Sequence, residues 1–592
     1  MDIFELRDRL IEDYNAYISS FFQIQDVHIR ATVEAAVRAG LLWPESLIQL
    51  NPAFASGSWI DDLVAENVLH DECKHIFRKD KSRSEYHGLG RPLRLHRHQE
   101  DAVRIARQGH NYVLTTGTGS GKSLSYIVPI VDHVLRRGSG RGIQAIIVYP
   151  MNALANSQEG ELRKFLQLGY PEGQSPVSFA RYTGQEDDAA RQAIIANPPD
   201  ILLTNYVMLE LILTRRAERQ LIAAAQGLRF LALDELHTYR GRQGADVALL
   251  VRRVRDRLAA DRLQVVGTSA TLAGAGTFAE QQAEVAAVAS QLFGTTVLPQ
   301  HVVGETLRRV TPEFNTADAV FSAALGARLC APHALPPTAY ADFVADPLSS
   351  WIESTFGVTT EPDGSRLVRS LPRSITGPEG AARELHSLTG VAEVDCAMAI
   401  QAGLLGGYAC EPDPETGFPP FAFRLHQFIS RGDTVYASLE PEPQRHLTLH
   451  GQQFVPGDRG KLLFPLTFCR ECGQEYYSVR RTRDRQSGLE MLTPRILGAT
   501  PDDEDDAGYL YLSSTNPWPD DWASQADRLP EDWLEEHRGT LRVRASRRKD
   551  LPEALHVIEA PAMVFDSQED LQTADLAALK QKFGHRPAAR AA

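Results

Sequence analysis

The stretch Thr115–Ser123, TTGTGSGKS, decides the fold of the region around it. It follows the apolar run NYVLT and leads into SLSYIVPIVDHVL, which is the order of a strand, a glycine-rich turn and a helix. Backbone N–H groups in such a turn bind phosphate, and the N-terminus of the following helix favours negative charge. The sequence therefore predicts a phosphate-binding loop, with Lys122 on the β- and γ-phosphates and Ser123 on Mg²⁺. The alternative is a chance glycine-rich turn.

The residues of this loop that precede Lys122 are predicted to surround the nucleotide and its metal. Thr116 stands where the strict pattern has its first glycine, which is a mild departure. The predicted set is Thr116, Gly117, Thr118, Gly119, Ser120 and Gly121.

A second motif, LRFLALDELH, spans residues 228–237. Its apolar positions lead directly into Asp234 and Glu235, and a carboxylate at the end of a buried strand is costly unless it coordinates a partner. We expect Asp234 to bind Mg²⁺ through water and Glu235 to orient or deprotonate an attacking water. His237 would couple the site to a neighbouring lobe. The alternative is a strand that simply ends in a charged turn.

A third motif, GTSATL, spans residues 267–272 and follows the strand-like run LQVV. Its hydroxyl residues Ser269 and Thr271 can hydrogen-bond the carboxylates of DELH and relay the state of the nucleotide. Such a tripeptide is common by itself, so its position after DELH is what gives it weight.

Composition excludes several classes of protein. The chain has 592 residues, of which 62 are Lys or Arg and 76 are Asp or Glu, for a net charge of −14. A hydrophobic share of 43% is ordinary for a folded globular protein and excludes disorder of the whole chain. We find no apolar run near the roughly 20 residues that a membrane span needs and no signal-peptide core, so we expect no membrane partner. Six cysteines fit a reducing cytoplasm.

The pattern of apolar residues divides the chain into four predicted regions. Residues 1–90 have helical spacing, and residues 91–296 alternate helices with short apolar strands. This alternation predicts an α/β fold with a parallel sheet between layers of helices. Residues 297–455 are predicted to be a mixed accessory insertion, and residues 456–592 a β-rich region that becomes loop-rich.

Taken in order, the phosphate loop, DELH and SAT resemble the motifs of superfamily 2 helicases of the DExH type. The resemblance implies a RecA-like lobe that hydrolyses ATP with Mg²⁺ and acts on nucleic acid. It also assigns a role to Gln99 in LRLHRHQEDAV, because such helicases place a glutamine there that reads the adenine edge.

Three shorter segments resemble the motifs with which these helicases contact nucleic acid: YPMNALANSQ at 149–158, YTG at 182–184 and ILLTNYVML at 201–209. Loops at the carboxyl ends of strands offer N–H and side-chain donors to phosphates. For each segment alone, the alternative is an ordinary strand-to-helix turn. The residues that the resemblance assigns to nucleic-acid contact are Pro150, Asn152, Gln158, Gly184, Thr204 and Asn205.

Longer segments of the sequence resemble a smaller group within these helicases. DELHTYRGRQGADVALLVRRV is similar to the Lhr- and MrfA-like branch of large bacterial helicases. WPESLIQLNPAF, FRLHQFISRGDTVYASLEP and FCRECGQEYY are similar to segments of the long helicases of Druantia-type antiphage defence systems. This likeness implies DNA rather than RNA as the substrate and a role in antiphage defence.

A superfamily 2 helicase also needs a second RecA-like lobe, whose arginines stabilise the developing phosphoryl charge by about 10³–10⁵ in rate in related systems. We find no Q-x-x-G-R-x-G-R-like motif in residues 297–592, where RASRRK is basic but lacks the glycines. We therefore expect the N-terminal portion of a longer helicase, or one half of a split one, with poor turnover alone. The alternative is a nucleotide-dependent regulatory subunit whose partner chain supplies the second lobe. A phosphate-loop ATPase unrelated to helicases is disfavoured by the joint presence of Gln99, YPMNALANSQ and SAT.

The segment CRECG suggests a metal site. Cys469 and Cys472 have the spacing of half a four-ligand zinc ribbon. His446 and His450 lie upstream and would face the same side of a strand, so they can contribute, and a second cysteine pair beyond residue 592 is an equally good source. The alternative is a hairpin without metal.

Overall fold

The computed structural model describes residues 2–552 except 22–23, 82–89, 118, 172, 271–275, 316–317, 331–334, 362–363, 365, 431–433, 442–443, 471, 484–489, 496–506 and 514–515. The chain divides into two compact units. The larger unit comprises Gln49–Pro372 and Ala381–Arg424, and the smaller unit comprises Met1–Ile48, Arg373–Gly380 and Leu425–Ala592.

The helices are α1 Ile3–Phe21, α2 Val27–Arg38, α3 Ile60–Ala65, α4 Cys73–Ile76, α5 Arg97–Arg107, α6 Leu124–Arg137, α7 Asn152–Leu166, α8 Asp188–Ala196, α9 Tyr206–Thr214, α10 Arg219–Ala224, α11 Gly241–Arg257, α12 Phe278–Phe293, α13 Ala319–Cys330, α14 Tyr340–Ala345, α15 Pro347–Phe356, α16 Ala381–Thr389, α17 Glu393–Ala409 and α18 Trp522–Ala526. Short 3₁₀ turns lie at Leu236–Thr238, Pro299–His301, Glu531–Trp533 and Ala545–Asp550.

The strands are β1 Leu47–Leu50, β2 Ala53–Phe54, β3 Ser56–Trp59, β4 Arg78–Lys79, β5 Arg91–Pro92, β6 Arg94–His96, β7 Tyr112–Thr115, β8 Ala145–Tyr149, β9 Phe179–Arg181, β10 Ile201–Asn205, β11 Phe230–Leu233, β12 Gln264–Ser269, β13 Val302–Gly304, β14 Leu307–Arg308, β15 Val358–Thr360, β16 Leu367–Arg369, β17 Arg373–Ser374, β18 Phe423–His426, β19 Tyr436–Ala437, β20 Leu447–Thr448, β21 Phe454–Val455, β22 Asp458–Leu462, β23 Phe464–Phe468, β24 Glu475–Arg483, β25 Glu490–Pro494, β26 Ala507–Leu510, β27 Leu534–His537 and β28 Thr540–Val543.

The centre of the larger unit is a seven-stranded sheet in the order β13-β7-β12-β11-β8-β10-β9. All of its strand pairs are parallel, and the register places Leu233 beside Val148 on one side and Gly267 on the other. Every residue of β7, β8, β11 and β12 is buried, which explains why these strands are apolar almost throughout. The predicted α/β fold with a RecA-like parallel sheet is confirmed.

Two hydrophobic cores lie on opposite faces of this sheet. Ile147 and Tyr149 of β8 point into a core formed with α5, α6 and α7, whereas Ile146 and Val148 point into a core formed with α8 to α12. Successive residues of a strand face opposite sides, so a strand buried on both faces serves both cores. The helices therefore cover the sheet on both sides, as the alternation of strands and helices predicts.

Some strands lie where the sequence pattern gave no signal. The last strand of the sheet, β13, follows residue 296, the predicted end of the lobe, and pairs with β7 through Val302 and Val113. Its three residues are too few to show a period. Residues 1–90 contain not only α1 and α2 but also the short strands β1 to β4. The four regional boundaries remain predictions.

The rest of the larger unit is built from α13 to α17 and short hairpins. Trp351, Phe343, Phe356 and Leu404 are buried in α14, α15 and α17. Strands β15 and β16 form an antiparallel hairpin that ends at Arg369. This hairpin brings a charged residue toward the central sheet.

The smaller unit contains an antiparallel sheet of β19, β20 and β23 to β26. Its core packs Phe464 and Tyr477 against Ile29 of α2. A buried Arg445 lies 3.6 Å from the carboxylates of both Asp26 and Glu475, so a paired charge is part of this core. Four of its strands, β23 to β26, lie within residues 456–592.

In the part of the chain that the structure describes, no single helix has both the length and the apolar composition of a membrane span. The α16–α17 pair, bent by 115°, meets that test only when its two helices are taken together.

Leu231→Ala tests the two-sided core. Leu231 is fully buried at the centre of the sheet, so we expect the free energy of unfolding to fall by about 2–5 kcal/mol. Leu249→Ala is the matched control because its side chain on α11 is 59% exposed, and we expect a change within about 0.5 kcal/mol. Denaturant unfolding followed by circular dichroism measures both. Equal losses in the two variants would contradict this description of the core.

Candidate functional site

The predicted site residues collect along one edge of the central sheet. The phosphate loop follows β7, DELH follows β11, and Ser269 ends β12. Asn152 follows β8, and Asn205 ends β10. Because the strands are parallel, their carboxyl ends meet at the same edge, which is where open α/β sheets bind ligands.

Two buried side chains of α5 support the phosphate loop through hydrogen bonds. Gln99 donates from Nε2 to the carbonyl oxygens of Gly121 at 2.8 Å and Ser120 at 3.3 Å. His98 donates from Nε2 to the same Ser120 oxygen at 3.0 Å, and both side chains are buried. The resemblance assigned Gln99 to the adenine edge, whereas here its amide nitrogen supports the loop. His98 was not predicted, although it is the neighbour of Gln99 in sequence.

The loop also requires glycine at Gly121. Its φ is +69°, and a Cβ there would lie 2.6 Å from Gln99 Nε2. At the other end of the loop, the Thr116 hydroxyl lies 2.7 Å from the Ser120 hydroxyl, and its N–H donates to the Ser269 carbonyl at 3.2 Å. Thr118 lies outside the described residues. The loop is thus connected to both α5 and β12.

Lys122 and Glu235 face each other across the site. Lys122 Nζ lies 3.4 Å from Glu235 Oε1, and both side chains are largely shielded, at 12% and 22% exposed. Glu235 adopts a left-handed φ of +53°, which is uncommon outside glycine and is typical of functional sites. Among the residues that the structure describes, its buried second oxygen, Oε2, has no hydrogen-bond partner and lies 3.3 Å from His237 Nδ1. A buried carboxylate oxygen that accepts no hydrogen bond fits a site that binds water or a cation.

Asp234 is held by a residue that the sequence analysis did not single out. The Thr268 hydroxyl donates to Asp234 Oδ1, and its oxygen accepts the Glu235 N–H at 3.2 Å. Burial raises the pKa of the Asp234 carboxyl above its ordinary value, while the Thr268 hydrogen bond acts in the opposite direction. Thr268 immediately precedes Ser269 in GTSATL, and its hydroxyl at a strand end was the available signal.

His237 brings the DELH and SAT motifs together. Its Nδ1 lies 3.3 Å from Glu235 Oε2 and 3.5 Å from the Ser269 hydroxyl. Ser269 therefore meets the DELH motif through His237. Thr271, the other predicted coupling residue, lies outside the described residues.

These donors fit a nucleotide with Mg²⁺. Magnesium is usually held by one or two carboxylates together with phosphate oxygens and water. Asp234 supplies a half-buried carboxylate, and Ser123 supplies a hydroxyl at the start of α6. Lys122 and the loop N–H groups supply the positive charge that phosphates need.

The predicted nucleic-acid residues lie further along the same edge. Asn205 donates from Nδ2 to Asn152 Oδ1 at 2.7 Å and to the Thr183 carbonyl at 3.1 Å. Its Oδ1 accepts the Met208 N–H at 2.7 Å and so caps α9. The buried Thr204 hydroxyl donates to the Tyr182 carbonyl at 2.7 Å. Asn152 and Asn205 therefore join the loops after β8 and β10.

The other three predicted residues differ in exposure. Gly184 is exposed, with φ +91°, and its N–H donates to Glu186 at 2.9 Å. Pro150 is half-buried, and Gln158 Oε1 is buried with no hydrogen-bond partner among the described residues. Next to them Met151 is 63% exposed. The edge thus offers backbone groups and apolar surface, and it also carries the Arg191 guanidinium, whose Nη2 donates to the Gly184 carbonyl at 3.1 Å.

The predicted zinc ligands do not form a metal cluster. Cys469 is half-buried, Cys472 is exposed, and neither forms a disulfide. Within the described ranges, no group of three or more His, Cys, Asp or Glu side chains is placed to hold a metal. His446 and His450 therefore do not complete a site with this cysteine pair in the described structure.

Comparison with known proteins agrees with this geometry. Residues 96–277 match the family profile described as DEAD/DEAH box helicase. The Druantia protein DruE of Escherichia coli is 25% identical over 383 residues, which is 44% of this chain and 20% of that protein. The Lhr helicase/probable uracil glycosylase of Mycolicibacterium smegmatis is 32% identical over 185 residues, which is 29% of this chain and 12% of that protein.

Among solved structures, the DUF1998 helicase MrfA bound to DNA is similar at 24% identity and a TM-score of 0.33, covering 44% of this chain and 30% of that one. Residues 96–277 therefore form a DEAD/DEAH box helicase domain, and the chain is similar in sequence to the Lhr helicase. The match spans a fifth or less of the two curated relatives.

Thr268→Val tests the support of Asp234. Removing the hydrogen bond that favours the ionised carboxylate raises its pKa further, and a protonated carboxyl does not bind Mg²⁺. As the pH falls, Mg²⁺-dependent nucleotide binding should therefore be lost at a higher pH in Thr268→Val than in the unchanged chain. Fluorescence titration with a labelled ATP analogue across acidic to neutral pH measures this.

Thr311→Val is the matched control, because the buried Thr311 hydroxyl donates to the Glu353 carboxylate instead. In Thr311→Val, nucleotide binding should be lost at the same acidic pH as in the unchanged chain. If Thr268→Val loses nucleotide binding at the same pH as the unchanged chain, the ionisation of Asp234 does not depend on this hydrogen bond.

Proposed function

We propose that this DEAD/DEAH box helicase domain supplies the ATP-binding and ATP-hydrolysing lobe of a superfamily 2 helicase or translocase that moves on DNA. The observation that carries the proposal is the meeting of Lys122, which follows β7, with Asp234 and Glu235, which follow β11, at the carboxyl edge of the sheet. Three charged side chains from two distant segments of the sequence converge there with a glycine-rich loop.

The residues divide the chemistry between them. Lys122 and the loop N–H groups bind the phosphates and withdraw charge from them. Asp234 and Ser123 would hold Mg²⁺, which neutralises charge on the phosphate oxygens when bound. Glu235, released from Lys122 by the incoming phosphate, orients the attacking water and accepts its proton. His237 and Ser269 then register the change at Glu235 through their contacts.

DNA is the proposed polymer. The edge formed by Asn152, Asn205 and Gly184 presents amide and backbone groups, which suit contacts with a sugar–phosphate backbone. Likeness to MrfA, whose solved structure is bound to DNA, and to the Druantia protein DruE supports DNA and a role in antiphage defence.

A second candidate function is a regulatory subunit that binds nucleotide and needs a partner chain for the second motor lobe. One observation favours it: the described residues contain one parallel sheet with a phosphate loop. In this case ATP binding would change the affinity for the partner without strand separation by this chain.

ATP hydrolysis by the full chain, with and without single-stranded DNA, tests the first proposal. Lys122→Ala should weaken nucleotide binding, because it removes the cation of the phosphate site. Glu235→Gln should keep binding but lower hydrolysis by about 10²-fold or more, because it removes the proton acceptor. Lys164→Ala is the matched control, since Lys164 is a surface lysine on α7 with 63% of its side chain exposed.

Normal hydrolysis by Glu235→Gln would show that the DELH assignment is wrong. DNA-stimulated turnover by the unchanged chain would support the motor. Nucleotide binding with negligible turnover would favour the regulatory subunit instead.

Asn152→Ala tests the proposed DNA edge. It removes the acceptor that joins the loops after β8 and β10, so we expect several-fold weaker binding of labelled single-stranded DNA, with nucleotide binding unchanged. Asn51→Ala, at an exposed asparagine outside this edge, should change neither. Fluorescence anisotropy with matched DNA and RNA oligonucleotides measures the effect and the preference. Equal binding by both variants would contradict the placement of DNA here.

A further inference from the structure

An ion pair from beyond the central sheet lies on the phosphate loop. Arg369, the last residue of β16, donates from Nε and Nη2 to the two oxygens of Glu305 at 2.7 and 2.8 Å. Glu305 follows β13, the edge strand beside β7. Both side chains are largely shielded from solvent, at 18% and 17% exposed. The pair is therefore bidentate and sits in an environment where charge interacts strongly.

Both members of this pair touch Gly117. The Gly117 N–H donates to Glu305 Oε2 at 3.0 Å. A Cβ on Gly117 would lie 2.5 to 2.7 Å from the guanidinium atoms of Arg369, so the guanidinium packs directly against the loop backbone. A side chain at residue 117 would force this guanidinium to move. The loop, the carboxylate and the guanidinium form one compact cluster.

A second guanidinium approaches the next glycine of the loop. Arg424 Nη2 lies 3.4 Å from the position that a Cβ on Gly119 would take. Arg369 and Arg424 come from separate segments of the larger unit. Two arginines thus reach a loop that already contains Lys122.

The groups that donate hydrogen bonds to the Glu305 carboxylate are also the groups that form an anion-binding site. A backbone N–H of the phosphate loop and a forked guanidinium are the groups that bind phosphate oxygens. A cavity of about 200 Å³ lies beside it, lined by Gly117, Glu305, Arg369 and Ala270. Ala270 belongs to the SAT motif, so this cavity lies between the loop and the residues expected to report on the nucleotide. A carboxylate here stands where a phosphate oxygen can stand.

We propose that Arg369 is a phosphate-binding arginine supplied by this chain, and that Glu305 holds it in place until the terminal phosphate of ATP displaces the Glu305 carboxylate. Arg424 adds a second positive charge to the same side of the loop. The inference rests on the proposed function, because it takes the loop as a nucleotide site. It assigns to the chain an arginine role for which the sequence shows no motif.

Affinities for fluorescent ATP and ADP analogues test the inference in the full chain. Arg369→Ala should weaken binding of the ATP analogue by about tenfold or more and of the ADP analogue by less, because ADP lacks the terminal phosphate. Arg369→Lys should restore part of the loss, since it keeps the charge but not the fork. Glu305→Gln should tighten binding of the ATP analogue several-fold, because it removes a competing negative charge.

Arg328→Ala is the matched control. Arg328 is 17% exposed and donates to both oxygens of Asp346, so its loss removes a comparable ion pair that does not touch the loop. It should leave both affinities unchanged, and thermal unfolding of every variant shows whether a loss of binding reflects a loss of folded protein.

Two results overturn the inference. One is an unchanged ratio of ATP to ADP affinity in Arg369→Ala. The other is weaker binding in Glu305→Gln, which would make the pair a structural clamp on the loop. Lys122→Ala, measured in parallel, separates the two proposals: if it leaves nucleotide binding intact, the nucleotide site itself is wrong, and if it weakens binding while the Arg369 and Glu305 variants do not, only the arginine assignment fails.

Discussion

Burial of the central strands on both faces is the constraint on which the rest of the larger unit depends. Strands β7, β8, β11 and β12 have no face on which a polar side chain meets water, so polar chemistry is confined to their ends. Parallel alignment then places all carboxyl ends on one edge. The phosphate loop, the DELH carboxylates and the predicted nucleic-acid motifs lie along one edge because they follow parallel strands that are buried on both faces, not because they are close in sequence.

Sequence patterns were informative where the signal is local. TTGTGSGKS and the apolar run before Asp234 are local signals, as is the Ser269 hydroxyl at the end of β12, and the structure brings these three features together at one edge of the sheet. The contacts that the sequence did not show join distant residues: Thr268 with Asp234, and Gly117 with Glu305 and Arg369. No periodicity or spacing encodes such pairs, because they depend on which strands become neighbours. The edge strand β13 was not predicted for a related reason, since three residues are too few to show the alternation of a strand.

Positive side chains gather around the phosphate loop, although the chain as a whole is negatively charged. The net charge is −14, yet the loop is approached by Lys122, Arg369 and Arg424. Two of these cations are paired with Glu235 and Glu305, so the site is nearly neutral before an anion arrives. Buried cations without partners are costly, and a carboxylate that can be displaced removes that cost while keeping the cation in place. A polyphosphate competes for both cations at once, which favours it over a single anion.

The position of β12 connects the phosphate loop with the DELH motif. This strand lies between β7 and β11 in the sheet, so its end touches both the phosphate loop and DELH. The Ser269 carbonyl accepts the Thr116 N–H, and its hydroxyl lies 3.5 Å from His237, which in turn lies 3.3 Å from Glu235. If Glu235 moves away from Lys122, its contact with His237 changes, and the contact between His237 and Ser269 can change with it.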